Sequence, residues 1–333
     1  MSKKSLVTGG AGFIGSHIAK ELIQLKHKVV ILDDLSGGFK HNIPNGCVFI
    51  EGSILDFELI EKLFETYKFD YVYHMAAYAA EGLSHFIRRF NYQNNLIGSV
   101  NLINAAVNHN IKCFVFASSI AVYGKNDLPH HEGQIPQPED PYGMAKFAVE
   151  KDLEMAHNHF GLNSIIFRPH NVYGPGQNIG DKYRNVIGIF MNQIMKNQAL
   201  TIFGDGEQTR AFTPISSIAP YIAKSVNCSA AYNEIFDIGA DDVYSVNQLA
   251  LAVMEVMGKE VSINHVPARN EMKHAYANHD KFKQFFKPIS SQPLKEALQE
   301  MAQHAYLFGA QITKDFTAIE IEKKLPSAWK KNL

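Results

Sequence analysis

Cysteine is scarce in this 333-residue chain. Cys47, Cys113 and Cys228 stand far apart, lack CxxC spacing and cannot all pair. They give no sign of a disulfide framework, and reduced, buried thiols in a cytosolic protein are expected. A charge excess of one sign is missing too: 32 Lys and Arg against 33 Asp and Glu give a net charge of −1. That balance leaves no basic footprint for nucleic acid and no polybasic membrane anchor. No stretch reaches the roughly 18 consecutive apolar residues of a membrane helix. The N-terminus passes straight into a strand, so secretion is unsupported as well. Internal repeats and low-complexity segments are absent. His130–His131 and His157/His159 have no His, Cys or Asp at ligand spacing, so no metal site is expected and they read as surface or capping residues. What remains is 46% apolar and 20% charged, an ordinary globular balance. The length exceeds one small core and suits a cofactor domain plus a substrate lobe.

The most telling stretch is Leu6-Val7-Thr8-Gly9-Gly10-Ala11-Gly12-Phe13-Ile14-Gly15-Ser16. An apolar run feeds a turn with Gly9, Gly12 and Gly15 at Gly-x-x-Gly-x-x-Gly spacing. Such glycines serve a tight turn, close backbone approach to a pyrophosphate, and close packing of the next helix. A helix over 13–25 would aim its free N–H groups and positive dipole end at the phosphates. The run Lys28-Val29-Val30-Ile31-Leu32 reads as the second strand. Asp33 at its end lies about twenty residues past the glycines, where a carboxylate binds ribose hydroxyls. An acid there repels a 2′-phosphate, so NAD is favoured over NADP.

Strands are expected at 5–8, 29–33, 47–51, 71–74, 113–118 and 164–168. Helices are expected at 57–67, 92–109 and 141–160, with another near 186–196. This alternation marks right-handed βαβ units and an α/β fold with a Rossmann-like, doubly wound parallel sheet. Residues 1–175, with returning segments near 212–240, form the expected cofactor domain, and 176–333 mainly a smaller α/β substrate lobe. The lysine-rich tail from Ile312 to Leu333 reads as a peripheral helix with a frayed end. Ligands bind such sheets beyond the C-terminal strand ends, so residues just after each strand carry the function.

Tyr142-Gly143-Met144-Ala145-Lys146 supplies the chemistry. Tyr-x-x-x-Lys on a helix puts both side chains on one face, one turn apart. An ammonium beside a phenol favours the phenolate, so the tyrosine can act as a base below its free pKa of about 10. Ser118 and Ser119 end the strand Phe114-Val115-Phe116-Ala117, where a serine hydroxyl can share the hydrogen bond to a substrate hydroxyl.

These motifs, with Arg168-Pro169-His170-Asn171-Val172-Tyr173-Gly174-Pro175 and Phe203-Gly204-Asp205-Gly206-Glu207-Gln208-Thr209-Arg210-Ala211-Phe212, resemble the extended short-chain dehydrogenase/reductases of the nucleotide-sugar epimerase/dehydratase group. The resemblance runs from Lys4 to about Phe308 and is strongest to the UDP-glucose 4-epimerase branch. It implies hydride removal from sugar C4 by tightly held NAD while Tyr142 takes the 4-hydroxyl proton. A transient 4-keto sugar then turns over and is reduced on its other face. The implied catalytic set is Ser119, Tyr142 and Lys146. For the cofactor the resemblance implies Phe13 and Ile14 beside the pyrophosphate, and Asp33, Asp34 and Ser36 at the adenosine. Ile54 would lie on the adenine, with Ser53 where the family usually has an acid. Met75, Ala76, Ala77 and Ala79 would line the nicotinamide side together with Asn94, Ser118 and His170. Ala79 stands where bacterial 4-epimerases often have a lysine, and His170 replaces a more usual aromatic. For the nucleotide-sugar it implies Ser119, Asn171, Asn185, Arg210 and Arg269, two guanidinium groups being suited to clamp a diphosphate. Arg168 is expected to be structural, Arg184 to be solvated and His74 to be packed inside. A homodimer built on helices 91–107 and 142–160 is implied as well.

The residues after Ser119 separate the sister reactions of this group. Dehydratases carry an Asp-Glu pair there, decarboxylases a glutamate at the second place, and 3,5-epimerases a cysteine. Ile120 and Ala121 can transfer no proton, which leaves simple 4-epimerisation. Ala275 falls at the position that gates the sugar 2-substituent, and a small residue there admits an N-acetyl group. The UDP-glucose/UDP-galactose pair and the N-acetylhexosamine forms are therefore the expected substrates. The alternatives are a 4-ketoreductase or dehydrogenase, an epimerase of GDP-, CDP- or dTDP-sugars, and a non-catalytic NAD-sensing relative.

Overall fold

The computed structural model describes residues 2–269, 272–289, 291–313 and 315–329. Six apolar runs form strands β1 (Lys4–Thr8), β2 (Lys28–Asp33), β3 (Val48–Glu51), β4 (Tyr71–His74), β5 (Cys113–Ala117) and β6 (Ser164–Pro169), and a seventh, β7 (Glu234–Ile238), returns late in the chain. All pair in parallel, in the order β7-β6-β5-β4-β1-β2-β3. The central strands are buried along their length because helices cover both faces, which is why they read as continuous apolar runs. Alternate residues serve opposite cores. Val7, Ile31, Tyr73, Val115 and Phe167 meet Ile18, Leu22 and Ile222 on one face. Leu6, Leu32, Val72, Phe114 and Ile166 meet Phe64, Leu102, Val149 and Leu153 on the other.

Four helices flank the sheet or the route to it: α1 (Phe13–Gln24), α2 (Phe57–Tyr67), α3 (Gly98–Asn108) and α4 (Pro141–Phe160). The bounds of α4 follow from its sequence. The Asp140 carboxylate accepts from Gly143 N at 2.9 Å, Pro141 opens the first turn, and Gly161 closes the helix in the left-handed region. Three further helices, α5 (Val186–Met195), α6 (Val246–Met257) and α7 (Leu294–Phe308), share a separate core around Phe190, Leu249 and Leu298.

Two expectations are corrected. The continuous helix over 92–109 is broken into a short helix Arg88–Tyr92, a π-helical turn Gln93–Ile97 and α3. The side chain of Asn95 explains the extra residue: it pairs with both backbone groups of Tyr78 and with Asn91. Helix Asp280–Phe286, in the stretch assigned to the outer lobe, packs its Phe282 and Phe286 against the cofactor-side core at Phe167 and Phe236. The described residues of the tail form no peripheral helix. Among its described residues only Ser327–Trp329 coils, as a 3₁₀ turn, and Leu325 and Trp329 are buried in an aromatic cluster with Tyr78, Phe86, Phe90 and Tyr183. Residues 314 and 330–333 of that tail lie outside the described residues.

Candidate active site

One cavity of about 910 Å³ opens along the C-terminal ends of β1, β2, β4, β5 and β6 and is roofed by the outer lobe. It follows the crevice where strand order reverses between β1 and β4. The turn after β1 is pressed there. Gly9 has φ +68°, and a Cβ on it would stand 2.7 Å from the Ala76 backbone. A Cβ on Gly15 would collide with the Gly9 carbonyl oxygen. Backbone therefore faces the cavity bare at the N-terminus of α1, as a pyrophosphate requires. The Asp33 carboxylate accepts from Ala11 N at 3.0 Å and Leu35 N at 2.8 Å at the cavity wall. Burial raises its pKa, and those backbone N–H groups oppose the rise. The residues present thus fit a dinucleotide with unphosphorylated ribose.

At the other end α4 delivers Tyr142 and Lys146, both buried and both lining the cavity. The Lys146 ammonium donates to the Ala117 carbonyl at 2.7 Å and lies 5.8 Å from the Tyr142 ring centroid. Burial pushes it down to about 7, against the attraction of Glu150. Burial and the charge of Glu81 push the Tyr142 phenol well above its ordinary range, while a hydrogen bond with Ser119 pulls it back. The Ser119 hydroxyl also accepts from Ala121 N at 3.1 Å. Ser118 behaves differently. Its hydroxyl donates to Glu150 at 2.5 Å, and Glu150 is held by Arg168 through Nε at 2.9 Å and Nη2 at 2.5 Å. Arg168 and Glu150 are each 2% exposed, so this ion pair is internal, as expected of Arg168.

The cavity collects nearly every residue singled out in the sequence. Gly9, Gly12, Phe13, Ile14, Gly15, Asp33, Asp34, Ser36, Ile54, Met75, Ala76, Ala77, Ala79 and Asn94 line its cofactor side. Asn94 sits in the π-helical turn, an irregularity often found at functional sites. Ser53 is not brought in: its hydroxyl turns back to accept from Leu55 N at 3.2 Å, and Gly52 and Ile54 take the wall. His170, also in the cofactor set, lines the cavity as well, and so do Asn171, Asn185, Arg210, Arg269 and Ala275. The Arg210 guanidinium rests on the carbonyls of Thr209, Met272 and Lys273. Ala275 pairs in register with Arg210 and packs in one small cluster with Ile120. His170 is buried, with Nδ1 against the Ala211 carbonyl at 3.1 Å and its ring stacked on His279. Burial and His279 hold its pKa down at about 3, so the ring is neutral.

Four sequence expectations change at the site or near it. Arg184 is not solvated: it lines the cavity, pairs with Asp181 at 2.7 Å and stacks 4.7 Å above the Tyr78 ring. Its Asp-x-x-Arg spacing was a visible signal. His130 is fully buried, its ring 4.8 Å from that of Tyr123, whereas His131 is exposed. Cys47 and Cys228 are only partly buried, although all three thiols are free. Strand β5 ends at Ala117, so Ser118 already belongs to the turn. His74 holds as a packed residue, hydrogen-bonded to Thr8 and Ser99 at 2.7 and 2.8 Å. The outer rim contributes Glu81, His85, Lys125 and Tyr183, none of which a sequence pattern marked.

Bare glycine backbone, an acid at the end of β2 and a buried Ser-Tyr-Lys set define a dinucleotide-dependent enzyme of the short-chain dehydrogenase/reductase type. Residues 5–239 match the NAD dependent epimerase/dehydratase family. A putative UDP-glucose 4-epimerase of Methanocaldococcus jannaschii is 36% identical over 275 residues, 81% of this chain and 88% of that protein. A dTDP-D-glucose 4,6-dehydratase of Dictyostelium discoideum is 33% identical over 75% of this chain and 61% of that protein. Among solved structures, a UDP-N-acetylglucosamine 4-epimerase of Methanobrevibacter ruminantium, in complex with UDP-N-acetylmuramic acid, superposes with a TM-score of 0.86. It is 32% identical and covers 92% of this chain and 99% of that one. The chain belongs to the NAD-dependent epimerase/dehydratase family, and its cofactor is NAD.

Proposed function

We propose that this isomerase interconverts the C4 epimers of a UDP-hexose, glucose and galactose or their N-acetylated forms. The observation that carries this is a single cavity in which Ser119, Tyr142 and Lys146 stand beside Ile120 and Ala121, side chains unable to move a proton. Such a site can take and return the proton of one sugar hydroxyl, and the two positions after Ser119 offer no acid for dehydration or decarboxylation. NAD, when bound, supplies redox chemistry at sugar C4. Tyr142 takes the 4-hydroxyl proton at its phenol oxygen and gives it back, Ser119 orders that hydrogen bond, and Lys146 favours the phenolate. Arg210 and Arg269 hold the diphosphate and uridine end, together with Asn171 and Asn185. The small Ala275 leaves room for an N-acetyl group. UDP-sugar relatives support the nucleotide choice.

The test incubates purified protein, without added cofactor, with UDP-glucose and separately with UDP-N-acetylglucosamine, following anomeric protons by NMR. A galacto-configured product growing to equilibrium is expected from both. No change in either overturns the UDP-sugar reading and turns attention to GDP-, CDP- and dTDP-sugars. Ala275→Tyr should lower turnover of the N-acetylated substrate by about 5- to 150-fold relative to UDP-glucose, since overpacking a close-fitted wall costs ~1–3 kcal/mol. Equal loss on both substrates would remove Ala275 from the gate. The same reading includes a cytosolic homodimer. Met144 and Met155 on α4, eleven residues apart and so on one face, are 45% and 53% exposed. Light scattering that gave a monomer mass would overturn the dimer.

A further inference from the structure

Beyond Phe308 the described residues of the chain bond to both lobes beside the cleft. Gln311 N bonds the Asn192 side chain at 2.9 Å. Asp315 pairs with Lys182 at 2.5 Å, and Phe316 N bonds the Tyr183 hydroxyl at 3.1 Å. The strap then crosses to the cofactor side. Glu320 accepts from Arg89 N and Phe90 N at 2.8 and 2.9 Å, and its own N–H bonds the Phe86 carbonyl at 2.8 Å. Its last described residue is Trp329, the chain's one tryptophan, which is 4% exposed.

Trp329 does not line the cavity but stands directly behind residues that do. Its ring meets Tyr183 edge-on at 5.4 Å and Phe203 at 6.3 Å. A Cβ on Gly82, across the cleft, would lie 3.1 Å from it. The Arg269 guanidinium carbon lies 4.8 Å from the Phe203 ring centroid and 5.9 Å from that of Trp329. Arg269, Tyr183, Phe203 and Gly82 all face the cavity, so one indole backs both rims. A long side chain such as arginine loses rotamer freedom on binding an anion, and a guanidinium already held against aromatic faces has less to lose.

We propose that Trp329 is a positioning residue: it fixes Arg269 and Tyr183 from behind, so the affinity for the nucleotide end of the substrate depends on the docked strap. This rests on the proposed UDP-sugar function. The reacting groups Ser119, Tyr142 and Lys146 are not among its partners. Its effect should therefore fall on binding and leave the chemical step nearly intact.

The experiment uses the full-length protein and UDP. Because Trp329 is the only tryptophan, its emission should change saturably as UDP is added to wild type. By calorimetry Trp329→Ala should bind UDP about tenfold more weakly, between the scales of an exposed and a desolvated cation–π contact. Its KM for UDP-glucose should rise in parallel while kcat stays within about twofold. Trp329→Phe, which keeps an aromatic face, should recover most of the affinity. UDP binding by Trp329→Ala within about twofold of wild type, or a Phe variant as weak as the Ala variant, overturns the proposal. Failure of wild type to bind UDP at all overturns the UDP-sugar function and the proposal with it.

Discussion

At the residue scale the balance lies between burial and the groups that oppose it around Tyr142. Burial and Glu81 disfavour the phenolate; the Ser119 hydrogen bond and, more weakly, Arg184 favour it. Lys146 is itself pushed down to about 7 by burial, so its ammonium is a marginal charge held by the Ala117 carbonyl and by Glu150. Lys146→Met should lower kcat by about 10²–10⁴-fold, the usual weight of a positioned acid–base partner. The shape of the remaining activity is the sharper prediction. Without the ammonium the phenol must ionise alone from a raised pKa, so the variant's residual rate should climb through the alkaline range more steeply than wild type. A pH–rate profile parallel to wild type would show that Lys146 does not act on the phenol.

At the scale of elements, the sequence reads well where one residue type forces one local geometry. Asp140, Pro141 and Gly161 mark both ends of α4, and α2 over Phe57–Tyr67 is legible from its periodicity. Gly9 and Gly15 were legible because only glycine fits their backbone approaches. What escaped is what tertiary contacts decide. The π-helical turn exists because Asn95 pairs with Tyr78 across a loop, and Gln93-Asn94-Asn95-Leu96-Ile97 carries no mark of it. The strap reads as a peripheral helix because its lysines stand out in the sequence, while its anchors, Leu325 and Trp329, are set by tertiary contacts that carry no local pattern. His130 is buried by partners as distant as Ala277. The legible cap makes a prediction of its own. Asp140→Ala removes the acceptor for Gly143 N and should cost about 1 kcal/mol, read as a lower urea midpoint. Since Tyr142 rides on that first turn, kcat should fall too, whereas Asp140→Asn, which can still cap, should keep most of both. An Ala variant as stable as wild type would mean the cap is idle.

At the scale of the whole molecule, buried titratable groups tie stability to pH in opposing directions. His74 and His170 are held neutral, His170 down at about 3. The unfolded chain takes protons there that the fold refuses, so these rings favour the fold as pH rises toward 6.5. Asp237 works against them. It is fully buried on β7, accepts from the Tyr123 hydroxyl at 2.7 Å and has one carboxylate oxygen without a partner among the described residues. Burial and the neighbouring Glu132 raise it to about 7, overcoming the pull of Tyr123 and Arg168. Between about pH 4 and 7 the folded chain holds a proton at Asp237 that the unfolded chain has released. That contribution is complete below the lower value and is lost as pH rises through the upper one. The gap of about three pKa units corresponds to ~4 kcal/mol at most. Asp237→Asn mimics the protonated form at every pH and stays hydrogen-bonded to Tyr123. Its unfolding free energy minus that of wild type should therefore grow from pH 5 to pH 8, by on the order of 2–4 kcal/mol, in urea titrations run in parallel. The histidine contributions cancel in that difference because both proteins share them. A difference that stays flat across this range would mean that Asp237 is ionised in the fold throughout, with Arg168 rather than burial setting its state.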